Sequence, residues 1–127
     1  MQAACRLAPH PTSLRAARDF ASEVLGEEPS PFMALVGLLV TELVTNAIVH
    51  AQTSIVVTVT THESAVRVAV RDESPARPFL KTAAPTDVTG RGMAIVDGLA
   101  DAWGVETAPG AGKTVWFEVE QHTATEQ

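Results

Sequence analysis

Three polar side chains recur every fourth residue within an otherwise aliphatic part of the sequence: Glu42, Asn46 and His50. In an α-helix each step of four residues advances only about 40° around the axis, so the three share one stripe. The same sector contains Leu35, Leu39 and Val49. The stripe therefore places polar groups on a face that is expected to be apolar, which is typical of a functional site. The alternative is that the stripe is the edge of the buried face and its polar ends reach water.

A fourth candidate, Asp72, follows a run of alternating apolar residues and begins a proline-containing segment at residues 73–89. Ligand-contacting carboxylates often occur where a strand leads into a long loop. Aspartate is also a common turn residue, so the position alone does not decide between the two roles.

Gly90 and Gly92 flank Arg91 immediately before a predicted helix. Glycines let the backbone approach a ligand closely, and the free N–H groups at a helix N-terminus favour phosphate. The sequence has no glycine between Gly37 and Gly90, which makes this pair stand out. The alternative is an ordinary junction between a loop and a helix.

Residues 110–114 contain the Gly-Lys-Thr sequence that ends a Walker A motif. That motif also requires a glycine five residues before Gly112, where this sequence has Thr107, and a helix afterwards. Residues 115–119 alternate instead like a strand. We therefore interpret Gly110 and Gly112 as part of a hairpin turn and not as a phosphate-binding loop.

The histidines do not predict a metal centre. His10, His62 and His122 show no spacing typical of zinc or iron ligands. His50 continues the polar stripe, but a histidine near a helix C-terminus is also favoured by the helix dipole. A structural role is therefore the simpler hypothesis for His50.

Two helices that would carry or support these residues are predicted in the first half of the chain. They span about residues 12–25 and residues 31–50. The predicted caps are Thr12 or Ser13 and the C-terminal stop Gly26 for the first helix, and Ser30 followed by Pro31 for the second.

The second half of the sequence predicts mainly strands. The β-branched residues 54–61 and the alternating residues 66–70 predict two strands joined by a turn. Further predicted elements are a helix at residues 92–100, strands at 103–107 and 114–120, and a short strand near residues 5–8. The sequence therefore predicts an α/β (α+β) two-layer sandwich, in which about three helices cover one face of a mainly antiparallel, mixed sheet.

Length and composition predict one globular domain. The 127 residues, 46% hydrophobic and 19% charged, fit a single domain with a core at about residues 12–120 and short flexible tails. The net charge of −6 argues against nucleic acid as the main partner. The longest apolar stretch, Phe32–Val40, is too short to cross a membrane, and the N-terminus lacks a signal core. A single cysteine, Cys5, fits a reducing compartment, so we expect a cytoplasmic protein.

Taken in order, four of these motifs resemble the GHKL (Bergerat-fold) ATPase and kinase superfamily, and within it the bacterial anti-sigma-factor serine/threonine kinases. The similar motifs are Glu42-x-x-x-Asn46 for the N box, Asp72 for the start of the G1 box, Gly90-x-Gly92-Met93 for the G2 box, and Gly110-x-Gly112-x-Thr114 for the last glycine box. The resemblance covers about residues 12–120, and it implies ATP and Mg²⁺ as cofactors.

The resemblance also implies a role for each matched residue. Asp72 would accept a hydrogen bond from the exocyclic amine of adenine, and Thr114 would support the same edge through water. Asn46 would offer its amide oxygen to Mg²⁺, an ion that prefers oxygen ligands. Glu42 would orient or deprotonate the attacking hydroxyl. The phosphates would be held by Gly90, Arg91 and Gly92 with Met93 beside them, under a lid formed by residues 74–89.

The reaction implied by the resemblance is phosphoryl transfer from ATP to a serine or threonine of an anti-sigma-factor antagonist. A sigma factor would bind the same protein, and the family commonly forms homodimers. One departure favours an alternative, a non-catalytic partner-binding module with a degenerate nucleotide site. The family's Asp-x-Gly-x-Gly pattern is replaced by Asp-Glu-Ser-Pro-Ala at residues 72–76, which predicts a stiffer segment and weaker nucleotide binding. Retention of Glu42 and Asn46 favours the kinase, and a small ATP hydrolase is a third hypothesis.

Overall fold

The computed structural model describes residues 1–26, 29–74, 88–107 and 112–121. Five strands and three helices are present in these ranges. In chain order they are β1 (Gln2–Leu7), α1 (Ser13–Leu25), α2 (Pro31–His50), β2 (Ile55–His62), β3 (Ala65–Asp72), α3 (Val88–Leu99), β4 (Ala102–Thr107) and β5 (Lys113–Glu120).

The strands form one sheet in the order β1-β2-β3-β5-β4. Every pairing between the described strands is antiparallel. The predicted α+β sandwich with a mainly antiparallel sheet is therefore confirmed, although no parallel pair occurs among these strands. The central position of β3, between β2 and β5, places its C-terminal residue Asp72 inside the sheet and away from either edge.

The core lies between one face of this sheet and the helices. Alternate residues along β2, β3 and β5 are buried, as expected for strands with one covered face. The helix α2 packs against α1, α3, β3 and β5. The largest fully buried side chains are Phe117, Leu39, Leu43, Ile55 and eight valines from α2, β2, β3 and α3.

The helix α2 has 20 residues and is long and apolar enough, by length and composition, to cross a membrane. Its unbroken apolar stretch, residues 32–40, is shorter, because Thr41, Glu42 and later polar residues follow it. In this fold the helix is a core helix. Its buried residues are Val36, Leu39, Val40, Leu43, Val44, Asn46 and Ala47.

The starts of α1 and α2 differ. Ser30 has an extended backbone, and its hydroxyl accepts a hydrogen bond of 3.1 Å from the N–H of Met33, as predicted for an N-cap. Thr12 has a helical backbone and its side chain makes no capping bond. The hydroxyl of Ser13 donates instead to the carbonyl of Ala8 at 2.7 Å. The predicted side-chain cap of α1 is therefore wrong, because Thr12 makes no capping bond and Ser13 bonds to Ala8 instead.

Two boundaries also differ from the prediction. The short strand predicted near residues 5–8 begins earlier: β1 covers Gln2–Leu7, part of which was expected to be a flexible tail, and pairs with β2 from Gln2↔Thr60 to Leu7↔Ile55. The helix α3 begins at Val88, which is earlier than the predicted start at Gly92. The glycine-containing segment 90–92 therefore lies within the first turns of the helix and not before it.

Candidate nucleotide site at the end of β3

Asp72 is the last residue of β3 and is almost completely buried, with 1% of its surface exposed. Alternation along β3 places its side chain on the helix-covered face, together with those of Val66, Val68 and Val70. A carboxylate on this face needs polar partners, because burying an unpaired charge is strongly unfavourable. Asp72 is therefore a buried charged residue whose partners must be identified.

The carboxylate of Asp72 has two partners. Its Oδ2 lies 2.9 Å from Nζ of Lys113, and both side chains of this ion pair are buried. Its Oδ1 accepts a hydrogen bond of 2.9 Å from the N–H of Ser74. Lys113 begins β5 and is directly opposite Asp72 in the register of the two strands. Lys113 is not among the site residues predicted from the sequence.

A network of side chains fixes the chain where it leaves β3. The N–H of Glu73 donates to Oγ1 of Thr53 at 2.9 Å, and Oγ of Ser54 donates to the Glu73 carboxylate at 2.9 Å. Arg6 of β1 donates to Ser54 at 2.8 Å and lies 3.7 Å from the Glu73 carboxylate. These contacts hold the segment in which the family pattern has glycine. The part of the predicted lid after residue 74 and before residue 88 lies outside the described residues.

Gly112 lies against the backbone of this segment. Its φ is +82°, and a Cβ at this position would overlap the carbonyl oxygen of Asp72 and lie 2.8 Å from Cα of Glu73. Both the left-handed backbone and the close approach therefore require glycine. The interpretation of Gly110 concerns a residue outside the described ranges.

Thr114 does not share the edge of Asp72. Neighbouring residues of a strand point to opposite faces, and Lys113 occupies the covered face together with Val115 and Phe117. Thr114 is paired with Arg71 on the open face. Thr114, predicted to support the base-binding edge through water, therefore lies on the opposite face from Asp72, and Lys113 is the residue of β5 that contacts the carboxylate.

The polar stripe of α2 crosses the boundary between surface and core. Glu42 is half-buried, and desolvation by burial raises the pKa of its carboxyl above the ordinary value of 4.5. Asn46, one turn later, is buried, with 5% of its surface exposed. Val49 of the same predicted sector is 51% exposed at the end of the helix. His50 is half-buried.

The amide oxygen of Asn46 is a buried acceptor without a donor. Among the described residues, no group donates a hydrogen bond to Oδ1 of Asn46. Buried polar atoms in folded proteins are almost always paired, so an orphaned one indicates a missing partner. An amide oxygen is a ligand type that suits Mg²⁺. Asn46 therefore fits the Mg²⁺ ion for which it was predicted as a ligand.

The segment 90–93 is placed differently from the expectation. Gly90 is the third residue of α3. Its N–H is therefore one of the first four of the helix, which have no carbonyl acceptor within the helix. The N–H of Gly92 lies one turn after Val88 and belongs to the regular ladder of the helix. Met93 is buried in the core, with 4% of its surface exposed. Arg91 lies between them in the helix.

The structure thus brings together Asp72, Lys113 and Gly112, and it places Glu42 and Asn46 one turn apart on the helix that packs over β3 and β5. The sequence offered one signal for Lys113. It is the first member of the alternating series 113, 115, 117 and 119, whose other members are apolar. A lysine in the register of a buried strand face indicates a buried charge.

The five-stranded antiparallel sheet and its three helices form an α+β fold of the GHKL type. Residues 7–119 match the family model of the histidine kinase-like ATPase domain. The chain therefore belongs to the histidine kinase-like ATPase domain family. A search of curated proteins returned no match.

Two solved structures share this fold. One contains the RsbU and RsbW domains of Rv1364c from Mycobacterium tuberculosis. The TM-score is 0.69 at 19% identity, and the match covers 94% of this chain and 32% of the other. The second is the histidine kinase domain of the blue-light activated histidine kinase EL346 from Erythrobacter litoralis, with a TM-score of 0.53, 21% identity, and coverage of 86% of this chain and 59% of the other. This chain thus spans about a third of the first chain's length and somewhat over half of the second chain's length.

Proposed function

We propose that this chain is an ATP-binding regulatory protein of the anti-sigma-factor serine/threonine kinase type. Its membership of the ATPase domain family supports ATP binding. The observation that carries the proposal is the orphaned amide oxygen of Asn46, buried on the helix that packs over the strand ending in Asp72. The likeness in fold to a structure containing an RsbW domain supports this branch of the superfamily.

In this proposal each polar residue contributes positioning or charge. ATP would supply the phosphoryl group, with Mg²⁺ neutralising phosphate charge. Asp72 would accept a hydrogen bond from the adenine amine, and Asn46 would give its oxygen to the cation. Phosphoryl transfer depends mostly on such positioning and electrostatic stabilisation. The N–H of Gly90, with Arg91 and Gly92 beside it, would face the phosphates at the start of α3.

Glu42 would act as the proton acceptor. It would take the proton of the attacking serine or threonine hydroxyl while the hydroxyl oxygen bonds the γ-phosphorus and the bond to ADP breaks. Burial raises the pKa of Glu42 above 4.5, which brings its proton affinity closer to that of a general base working near neutral pH. Because Glu42 is only half-buried, it is partly accessible to the hydroxyl of an acceptor protein.

The partners belong to the same proposal. The phosphate acceptor would be an anti-sigma-factor antagonist, and the second partner a sigma factor, bound by a homodimer in the cytoplasm. The acidic chain, with a net charge of −6, fits protein partners better than nucleic acid.

A non-catalytic partner-binding module is the second candidate, and a specific observation favours it. In the segment after Asp72, the N–H of Ser74 donates to Asp72, the N–H of Glu73 donates to Thr53, and Ser54 donates to the Glu73 carboxylate. The segment therefore lacks the freedom that glycines would give. Asp72 itself is already paired with Lys113. A module of this kind would bind its partner without transferring phosphate.

Phosphotransfer separates the two candidates. Wild type, Glu42→Ala and the exposed control Glu23→Ala are incubated with γ-labelled ATP, Mg²⁺ and antagonist proteins as acceptors, and ATP binding is measured in parallel. The kinase predicts a labelled acceptor with wild type and Glu23→Ala, and none with Glu42→Ala although it still binds ATP. Equal ATP binding by all three without any labelled acceptor would support the second candidate. Absence of ATP binding would contradict the kinase and favour the partner-binding module, whose nucleotide site is degenerate.

A further inference from the structure

The ammonium of Lys113 is an unusual group for the interior of a small domain. The residue is 3% exposed, and its nearest charged partner is the carboxylate of Asp72 at 2.9 Å. Among the described residues, however, no atom accepts a well-aligned hydrogen bond from its Nζ. An ammonium has three donors, so this one has unused hydrogen-bonding capacity while it is shielded from water.

Stability alone is a poor explanation for such a pair. Desolvation of two charges can outweigh their attraction, and apolar residues of similar volume often replace a buried ion pair without loss of stability. The other residues on the covered face of β5 are Val115, Phe117 and Val119, so an apolar residue would fit the pattern of the strand. The lysine therefore needs a reason beyond the packing of the sheet.

Lys113 and Asp72 together present a donor beside an acceptor. Their interacting atoms are 2.9 Å apart, so a ligand edge that reaches the carboxylate also reaches the ammonium. Adenine carries a matching pair on one edge, the exocyclic amine as donor and the ring nitrogen N1 as acceptor. In a site shielded from water, a contact to a charged donor is strengthened.

We propose that Lys113 is a base-specificity residue, whose ammonium donates directly to N1 of adenine while Asp72 accepts from the exocyclic amine. The inference rests on the proposed function, because it takes Asp72 as the base-binding carboxylate. It adds a residue on the covered face where Thr114, which lies on the open face, cannot reach. A nucleotide bound with Mg²⁺ would then satisfy both groups, the base accepting from Lys113 and the cation taking the oxygen of Asn46.

The test compares three nucleotides by calorimetric titration with wild type, Lys113→Met and Lys113→Arg. ATP is the reference. The 1-deaza analogue of ATP replaces N1 by a carbon, and purine riboside triphosphate lacks the exocyclic amine. Wild type is expected to bind the 1-deaza analogue roughly ten- to a hundredfold more weakly than ATP, the effect of losing a hydrogen bond to a charged group. In Lys113→Met this ratio should fall to about one, whereas purine riboside triphosphate should stay weak.

Each outcome bears on a separate claim. Equal binding of ATP and the 1-deaza analogue by wild type would overturn the role of Lys113 and leave the nucleotide site intact. If Lys113→Met keeps the same ratio of ATP to 1-deaza affinity as wild type, the role of Lys113 is also overturned. Tighter ATP binding by Lys113→Met would overturn it too, because it would show that Lys113 competes with adenine for Asp72. If Lys113→Met does not fold, the proposal is tested by the ratio of ATP to 1-deaza affinity in wild type and in Lys113→Arg, which should retain that ratio. Failure of wild type to bind ATP at all would instead remove the proposed function.

Discussion

The proposed chemistry depends on a few polar residues whose surroundings differ from what their types alone indicate. Asp72 and Asn46 were both predictable, the first from its place at a strand end and the second from the stripe on α2. Their burial was not, because it depends on the packing of α2 over β3 and β5. Lys113 was missed because the Gly-x-Gly-x-Thr pattern directed attention to Thr114, while strand alternation turns Thr114 to the other face.

Glu42 should make stability depend on pH. Its pKa is raised above 4.5 in the folded chain by desolvation, so the folded state holds this proton more tightly than the unfolded state. The resulting stabilisation is fully present below 4.5 and is lost as the pH rises through the folded-state pKa. Glu42→Gln stays neutral and avoids this loss. Denaturant unfolding at a series of pH values should show its free energy of unfolding rising relative to wild type across that window. A difference that is constant with pH would contradict the prediction.

Gly112 should tolerate no side chain. Gly112→Ala forces a left-handed backbone on alanine and a Cβ into the carbonyl of Asp72, so a loss of about 1–3 kcal/mol is expected. Gly98→Ala is the matched control, since a Cβ there meets nothing within 4 Å and alanine favours a helix by up to about 1 kcal/mol. Chemical denaturation of both variants measures the contrast. Equal stability of the two would show that Gly112 does not approach Asp72 as described.

At the scale of elements, the regular parts were predictable and the ends were less so. The alternation in β2, β3 and β5 and the stop of α1 at Gly26, with φ 61°, followed from residue type. The pairing of β1 was harder to predict because its register is set by β2, far along the chain. The early start of α3 was missed because the glycines at 90 and 92 are typical of loops, yet the helix includes them.

The two predicted caps give a direct comparison at this scale. Ser30→Ala removes the bond from the N–H of Met33 and should lower the free energy of unfolding by about 1 kcal/mol. Thr12→Ala removes a hydroxyl that makes no capping bond, and a change within about 0.5 kcal/mol is expected. Thermal or urea unfolding of both variants tests the difference. An equal loss for Thr12→Ala would mean that it caps α1 after all.

At the scale of the whole molecule, the sandwich separates a covered face from an open one. The covered face carries the buried polar groups, on β3, β5 and α2. The open face carries Arg67 stacked over Trp116, with 4.0 Å between the guanidinium carbon and the ring centre. The family's fold was predictable because four motifs occur in order on the expected elements. Nucleotide affinity was not, because it depends on how firmly the segment after Asp72 is held.

The central claim is that Asp72 marks a nucleotide site, and calorimetric titration with ATP, with and without Mg²⁺, tests it most directly. Asp72→Asn is compared with wild type, and Asp72→Asn/Lys113→Met is added because the single change leaves a buried ammonium without its counter-ion. Thermal unfolding checks that each variant folds. Saturable, Mg²⁺-dependent binding by wild type that is lost in a folded Asp72 variant is the predicted result. No binding by wild type at millimolar ATP, or equal binding by the folded Asp72 variants, would contradict the account.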